Sequence, residues 1–487
     1  MVIDRLLSCN VVMAALLWAV PARAQAIPCD GAADARPAIN AAIEAAAQGP
    51  AGGVVTLPPG ICRVDTAAGH VMPRSGVTLR GQGRGRTVIL ADDARGIGGT
   101  GGGGAAITNA VRPGTPGAVA VPTGGVFAPL ADFHLRELTV KGLADGAADP
   151  PGAPPRAHLV NLVSVADVTV KDCEFLSSRF ISLAISHGRG VSVQDNRVDR
   201  SARDSIALWD VSDAIVTGNH VTFSGDDSIS AQSSDAAAGP VRSGLIISHN
   251  SISDGPGISV LGAREAIISD NVLRRIPVHG IEVGASPAHR QGGVALMAVS
   301  ITGNVITDVF DWSGWRPGHA KDYIRIDAKP RGGGPANAWV RVENNTLVRT
   351  LPAVAAWSDW GFGAALRTHG GGSYNGPVTE AMLGATGIHV EGGLTQSRIA
   401  GNLIRTGGAH AIAFSGAAEL DYDGLVIAGN QMAGFKEAGI LLPMTGQQRI
   451  RIERNEFDAE PTDPPPRAIA GAGGAAITDN RFRNVAP

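Results

Sequence analysis

The chain has 487 residues, with 41 Lys and Arg against 44 Asp and Glu, and a net charge of -3 at pH 7. No charge block stands out, which argues against nucleic acid as a partner. Its 65 glycines follow no three-residue period, which excludes collagen, and a hydrophobic content of 44% with only 4% aromatics fits short aliphatic strands joined by Gly-rich turns.

The chain opens on MVIDRLLSCNVVMAALLWAVPARA, with Arg5 before an apolar run from Leu6 to Val20 and Ala22-Arg23-Ala24 as a cleavage site. Residues 1–24 are therefore expected to be a secretory signal peptide, since the run falls short of the ~20 residues of a membrane span. The mature chain would start near Gln25 and work secreted or periplasmic, with no later span. There Cys29 and Cys62 could pair, closing a loop worth roughly 3–4 kcal/mol in the chain-entropy model and leaving Cys173 over.

Asp34 and Pro37 predict the N-cap and first turn of a helix running through Ala47, placed to cover one open end of the fold. GGVVTLPPGICRV and SGVTLRGQGRGRTVIL read as the first strands. The Gly-, Ala- and Pro-rich stretches 96–125 and 144–156 read as loops, as do longer insertions at about 308–340 and 350–386.

Beyond residue 130 a phrase recurs: alternating β-branched residues, a small or polar pair, then Asn. It ends at Asn196, Asn219, Asn250, Asn271, Asn304, Asn345, Asn402, Asn430, Asn455 and Asn480, and Cys173 holds the same slot. The tightest spacings are 21 to 25 residues, and longer ones of 31, 33, 41 and 57 mark insertions. That period with β-rich units predicts a solenoid of parallel strands; it is too short for propeller blades and lacks a helical pattern. Equivalent strands would stack about 4.8 Å apart, with each Asn above the next over about 50 Å of cylinder. The alternative is a β-sandwich with Asn turns. The fold class expected is all-β, one right-handed parallel β-helix over residues 25–487, of about 11 or more rungs, with an N-terminal capping helix.

The opening CDGAADARPAINAAIEAAAQGPAGGVVTLPPGICRV, followed by SGVTLRGQG, resembles the start of pectin-lyase-like right-handed parallel β-helix proteins. That fold is shared by lyases, hydrolases, epimerases and phage tailspikes, so the resemblance implies architecture more than activity.

Taking Ile181, Ile206, Ile229, Ile258, Ile281, Ile324, Ile388 and Ile412 as one inward column, the residue two before and the residue after each fall on one lateral flank, the latter facing solvent. That flank gathers Asp204, Asp226, Asp227, His279, Glu282, Asp322, Arg325 and Asp327. Carboxyls at ~4.8 Å steps repel, raise one another's pKa and so separate acid from base; a merely solvated polar face is the alternative. The flank resembles the polygalacturonase family of glycoside hydrolases, whose pattern is Asn-Thr-Asp, Asp-Asp, Gly-His-Gly, Arg-Ile-Lys. Ala202-Arg203-Asp204 and Gly225-Asp226-Asp227 match the first two. Gly255-Pro256-Gly257 carries no His and Ile281-Glu282-Val283 no basic pair. The resemblance implies Asp226 as general acid and Asp204 and Asp227 as activators of water. His279, one rung later, either substitutes for the missing His or is a turn residue. Carboxyls ~5 Å apart would indicate retaining chemistry, and ~7–9 Å inverting chemistry.

Trp312, Trp315, Trp339, Trp357 and Trp360 fall within 49 residues, with Tyr323 among them and Trp209 apart. They suit sugar stacking or a small satellite core. Lys321 and Arg325 would suit an acidic polysaccharide. The candidate site is thus Asp204, Asp226, Asp227 and His279 for catalysis, with Glu282, Lys321, Tyr323, Arg325, Asp327, Trp209, Trp312 and Trp315 for binding. Three functions follow: a hydrolase without metal or cofactor, a monomer acting on a poly- or oligosaccharide; a uronate lyase or epimerase using His279, Lys321, Tyr323 or Arg325, with Ca²⁺ on Asp204 and Asp227; or a non-catalytic glycan-binding or surface protein.

Overall fold

The computed structural model describes residues 26–50, 52–92, 105–111, 113–120, 125–142, 158–233, 243–284, 297–311, 321–328, 337–356, 366–367, 373–374, 376–416, 421–444 and 449–486. The expected signal segment and Trp312, Trp315, Trp357 and Trp360 lie outside these residues.

Short β-branched strands alternate inward and outward, so each contributes one or two aliphatic side chains to an interior line. Val170, Val193, Val216, Ile247, Ile268 and Ile301 follow one another in parallel register and are all fully buried. Each such side chain contributes about 1.5–3 kcal/mol by leaving water. The strands form a 15-stranded and a 26-stranded sheet, in which pairing advances coil by coil. The long strands His158–Lys171, Leu183–Gln194 and Ile206–Thr217 run through two faces of the larger sheet and fuse them. One hydrophobic core threads the stack from Ala35 to Ala468.

The turn asparagines form a continuous ladder. The backbone N–H and side-chain amide of Asn250 both donate to Asn271 Oδ1 at 3.0 Å, and Asn271 donates likewise to Asn304 Oδ1 at 3.0 and 2.9 Å. The same side-chain amide donates to Ile247 O at 3.0 Å, a carbonyl of the preceding coil. The residue before each Asn holds a left-handed backbone, as at Asp195 (φ 54°), Gly218 (φ 68°), Asp270 (φ 56°) and Gly303 (φ 67°), which explains the Gly or Asp at most of these places, although His249 and Arg454 adopt it too. Cys173 heads the ladder: its N–H donates to Asn196 Oδ1 at 2.9 Å, and burial pushes its thiol up to about 12, which keeps it inert. Asn271→Ala should lower unfolding stability by about 3 kcal/mol or more, because several buried partners lose their bonds together. A urea titration checks this.

The helix spans Arg36–Ala47 and packs Ala38, Ile39 and Ile43 over one end of the core. Its N-cap is Ala35, not Asp34, whose carboxylate instead accepts from Arg36 N at 3.0 Å and Asp65 N at 3.2 Å. Asp34 therefore ties the start of the helix to the end of the strand Gly60–Asp65. Cys29 and Cys62 are joined by a disulfide across that same end. Two expectations need correcting. The stretches 96–125 and 308–340 are not all loop, since Ala105–Thr108 pairs with the long strand at His158 to Asn161 and Asp322–Ala328 pairs with the strands His279–Gly284 and Thr386–Gly392. Leu183, not Ile181, takes the inward position paired with Ile206, so Ala184 rather than Ser182 lies on the outward column. Ile181 instead packs outside the barrel with Ala184, Ala207, Phe180 and Trp209.

Candidate functional site

The parallel register Ile206, Ile229, Ile258, Ile281, Ile324 and Ile388 sets the flank. Two residues before these lie Asp204, Asp227, Pro256, His279, Asp322 and Thr386; one residue after lie Ala207, Ser230, Ser259, Glu282, Arg325 and His389. Contrary to the expectation from sequence, this second column is not solvated. Ala207, Ser230 and Ser259 are fully shielded and Arg325 is 9% exposed, so charges along it act in a low-dielectric setting.

Asp204, Asp226 and Asp227 come together, with one oxygen from each lying within 4.8 Å of the others. Asp204 is 2% exposed and Asp227 is 7%, while Asp226 opens further towards solvent. Burial first, then the charges of Asp226 and Asp227, hold the Asp204 carboxyl well above the usual carboxylate range. Burial likewise lifts Asp227 to about 6, against the pull of His279. The group therefore keeps a proton to higher pH than separate exposed carboxyls would.

Arg203 supplies the local cation, with Nε 3.7 Å from Asp204 and 3.5 Å from Asp226 and its guanidinium 5.2 Å from the centre of the Phe180 ring. Phe180 also meets the buried His158 edge-on at 5.0 Å. Sequence reading passes over Arg203; its place beside Asp204 in the Ala-Arg-Asp phrase is the available signal.

His279 spans the intervening coil, where Pro256 and Ser259 are small, and places Nε2 3.4 Å from Asp227 Oδ1 and 3.6 Å from Glu282 Oε2. These are charge contacts without hydrogen-bond alignment. Burial lowers its pKa, but Glu282 and Asp227 outweigh burial and the net shift is upward, towards imidazolium. Gly257 permits the close stacking that brings His279 near: a Cβ there would lie 1.8 Å from Gly280 O.

The chain of contacts continues. Arg325 reaches Glu282 at 3.6 Å, Asp322 at 3.4 Å and Glu391 at 2.5 Å. His389 joins Asp322 at 3.0 Å and Ser415 at 2.7 Å. Sequence reading puts His389 on the flank, after Ile388, without assigning it to the site, and Glu391 and Ser415 escape it, because the insertions between coils hide which residues become neighbours. Asp327 is half-buried, in register between Gly284 and Glu391. Several buried polar atoms on this flank lack hydrogen-bond partners: Arg203 Nε, Ser230 Oγ, His279 Nε2 and Arg325 Nε. Orphaned groups of this kind are what a bound polar ligand would satisfy.

Other expected residues fall away from the group. Tyr323 is fully buried in the core and faces the interior, with its hydroxyl pushed up in pKa by burial, so it cannot touch substrate. Lys321 is held by Asp311 at 3.2 Å and the Ala381 carbonyl at 3.1 Å. Trp209 packs in the small cluster around Ile181 and Ala207, and Trp339 is 54% exposed. The Asp204, Asp226 and Asp227 oxygens have the chemistry to hold a hard cation such as Ca²⁺. In this arrangement Arg203 and a retained proton balance the charge.

A family model described as a right handed beta helix region matches residues 156–291. The fold is a right-handed parallel β-helix. Solved structures resemble this β-helix over most of its length. The catalytic unit of a thermostable GH87 alpha-1,3-glucanase from Streptomyces thermodiastaticus strain HF3-3 is 15% identical, with a TM-score of 0.49, over 93% of this chain and 66% of that one. Bacteriophage CBA120 tailspike protein 3 is 12% identical, with a TM-score of 0.53, over 92% of this chain and 59% of that one. The pre-mature bacteriophage phi29 gene product 12 is 12% identical, with a TM-score of 0.61, over 88% and 51%. The chain thus spans between about half and two thirds of the length of these proteins. Comparison with curated proteins finds no match. No helix among the described residues is long and apolar enough to cross a membrane.

Proposed function

We propose that the chain is a glycoside hydrolase whose acid and base are the Asp204, Asp226 and Asp227 carboxyls, acting outside the cytoplasm on a neutral polysaccharide or oligosaccharide. The observation that carries this reading is the three carboxyls within 4.8 Å of one another, two of them buried with raised pKa values. Glycosidic cleavage needs a protonated acid beside an ionised base, and mutual repulsion in a dry site supplies both at one pH. The proton that the group retains passes through Asp226, the most accessible of the three, to the leaving oxygen. Water then attacks the anomeric carbon and gives its proton to the Asp204–Asp227 pair, which returns one to Asp226. Imidazolium at His279 holds Asp227 ionised during the transfer. The 4.8 Å span is between nearest oxygens and not across the two faces of the scissile bond, so the anomeric outcome is read by NMR of the first product.

Among the described residues seven carboxyls line the flank (Asp204, Asp226, Asp227, Glu282, Asp322, Asp327, Glu391) against the guanidiniums of Arg203 and Arg325 and the imidazoles of His279 and His389, and Arg325 is already engaged by Glu282, Asp322 and Glu391. A net-negative groove repels a polyuronate, which favours a neutral sugar chain. The lyase and epimerase reading also loses Tyr323 to the core and Lys321 to Asp311. A surface protein without catalysis has no use for a buried protonated carboxyl group. Digestion of neutral and uronate polysaccharides, with and without chelator, tests the reading. New reducing ends without an ultraviolet-absorbing double bond are expected from a neutral glycan, unaffected by chelator. Unsaturated products from a uronate chain would replace this reading with the lyase one.

A further inference from the structure

We propose that Asp322, His389 and Ser415 form a second hydrolytic centre, a Ser–His–Asp triad that cleaves O-acyl esters. The three side chains come from successive coils, on the strands Asp322–Ala328, Thr386–Gly392 and His410–Ser415. Parallel register sets Arg325 beside His389 and Glu391 beside Ser415, so the imidazole reaches back to one neighbouring coil and forward to the next. His389 Nδ1 lies 3.0 Å from Asp322 Oδ2, and Nε2 lies 2.7 Å from Ser415 Oγ.

The arrangement fixes the roles. The Asp322 side chain is 1% exposed and is paired with the Arg325 guanidinium at 3.4 Å. A carboxylate only accepts, so Nδ1 carries the imidazole proton and donates it to Asp322. Nε2 is left as the acceptor of the Ser415 hydroxyl proton. That is the tautomer a general base needs, oriented by a buried carboxylate, and such a constellation is recognised by geometry rather than by chain order. Ser415 is half-buried and is followed by Gly416, so its oxygen can be approached from solvent.

In the step, Ser415 Oγ attacks the ester carbonyl carbon while its proton passes to His389 Nε2. The carbon–oxygen bond to the alcohol breaks, and His389 returns the proton to the departing alkoxide. Water then attacks the acyl-serine, releasing the carboxylic acid and restoring Ser415. The centre lies on the same flank as the Asp204 group, with His389 four coils or about 19 Å beyond Asp227. On the proposed hydrolase reading, the natural ester is an acyl group on the glycan that occupies this groove.

The full chain is treated with a fluorophosphonate probe and, separately, with p-nitrophenyl acetate and an O-acetylated neutral polysaccharide, while acetate release is followed. One phosphonyl adduct mapped to Ser415 is expected. Ester hydrolysis should fall about 10³-fold or more in Ser415→Ala and in His389→Gln. The probe and small ester read the triad whatever the glycan, so failure of the hydrolase reading leaves this result standing. If Ser415→Ala does not fold, the mapped adduct on the wild-type chain decides. No adduct and no ester hydrolysis by the wild type, or undiminished hydrolysis by folded Ser415→Ala, would overturn the proposal and leave the three residues as a structural hydrogen-bond relay.

Discussion

An Asp226→Asn chain should hydrolyse its glycan about 10²–10⁴-fold more slowly than the wild type, the range that removal of a positioned acid or base produces. The amide fills the same space and keeps the neighbourhood of Arg203 at 3.5 Å, but carries no proton to give. The loss should fall on kcat, with KM little changed, because the interaction removed is made in the transition state. Asp227→Asn should cost a similar factor for a different reason. It neutralises the group facing His279 at 3.4 Å and removes one of the charges that raise the pKa of Asp204. The shared proton is then held less firmly, and the acid limb of the pH–rate profile should move. Full activity in either folded variant would remove the carboxyl group from the chemistry.

The second large effect concerns stability against pH. Asp204 and Asp227 both have folded pKa values above the ordinary carboxyl value of 3.8, with Asp227 lifted to about 6. Above 3.8 the unfolded chain has lost protons that the folded chain still holds, so folding is favoured most below that pH and loses ground as pH rises through the folded values. His279 acts in the same direction, because its pKa also lies above the ordinary imidazole value of 6.5. The shift at Asp227, from 3.8 to about 6, corresponds to something on the order of 3 kcal/mol. The urea midpoint should therefore fall between about pH 4 and pH 7, more steeply in the wild type than in Asp204→Asn or Asp227→Asn, each of which keeps only one of the two raised carboxyls. The comparison cancels the exposed ion pairs, such as those of Asp423 and Asp458, whose carboxyls are lowered and titrate at more acid pH. Parallel profiles for wild type and variants would mean that these carboxyls are not buried as described.

Both predictions rest on residues whose chemistry is legible in the amino-acid order alone. The Asp204, Asp226 and Asp227 phrases stand out because they recur at nearly one coil's spacing, and a stack with a fixed rise turns such spacing into contact. The asparagine phrase is legible for the same reason: a polar residue that must be buried at every turn survives only where the next turn bonds it. The misplaced Ile181 shows where this logic weakens. Ser178 pairs with Ser201 and Leu183 with Ile206, so Ile181 falls in the bend between two strands and packs outside the barrel. Ile181 and Leu183 are both aliphatic, so composition offers no warning of which one points inward.

Tyr323 and the Asp322–His389–Ser415 relay mark the other boundary. Tyr323 and Ile324 both turn inward, against strict strand alternation, where the register skips Tyr323, while Asp322 faces the flank; an aromatic among polar residues reads equally well either way. His389 meets Asp322 across 67 residues of sequence and Ser415 across 26. The amino-acid order by itself determined the coil, its inward aliphatic lines, its asparagine ladder and the carboxyl group, because each is a local pattern repeated at the period of the stack. Only the tertiary structure decided how deeply the carboxyls lie, that His279 bridges over Pro256, and which charges Arg325 gathers, because insertions of unequal length separate residues that the constant rise of about 4.8 Å per coil then sets side by side.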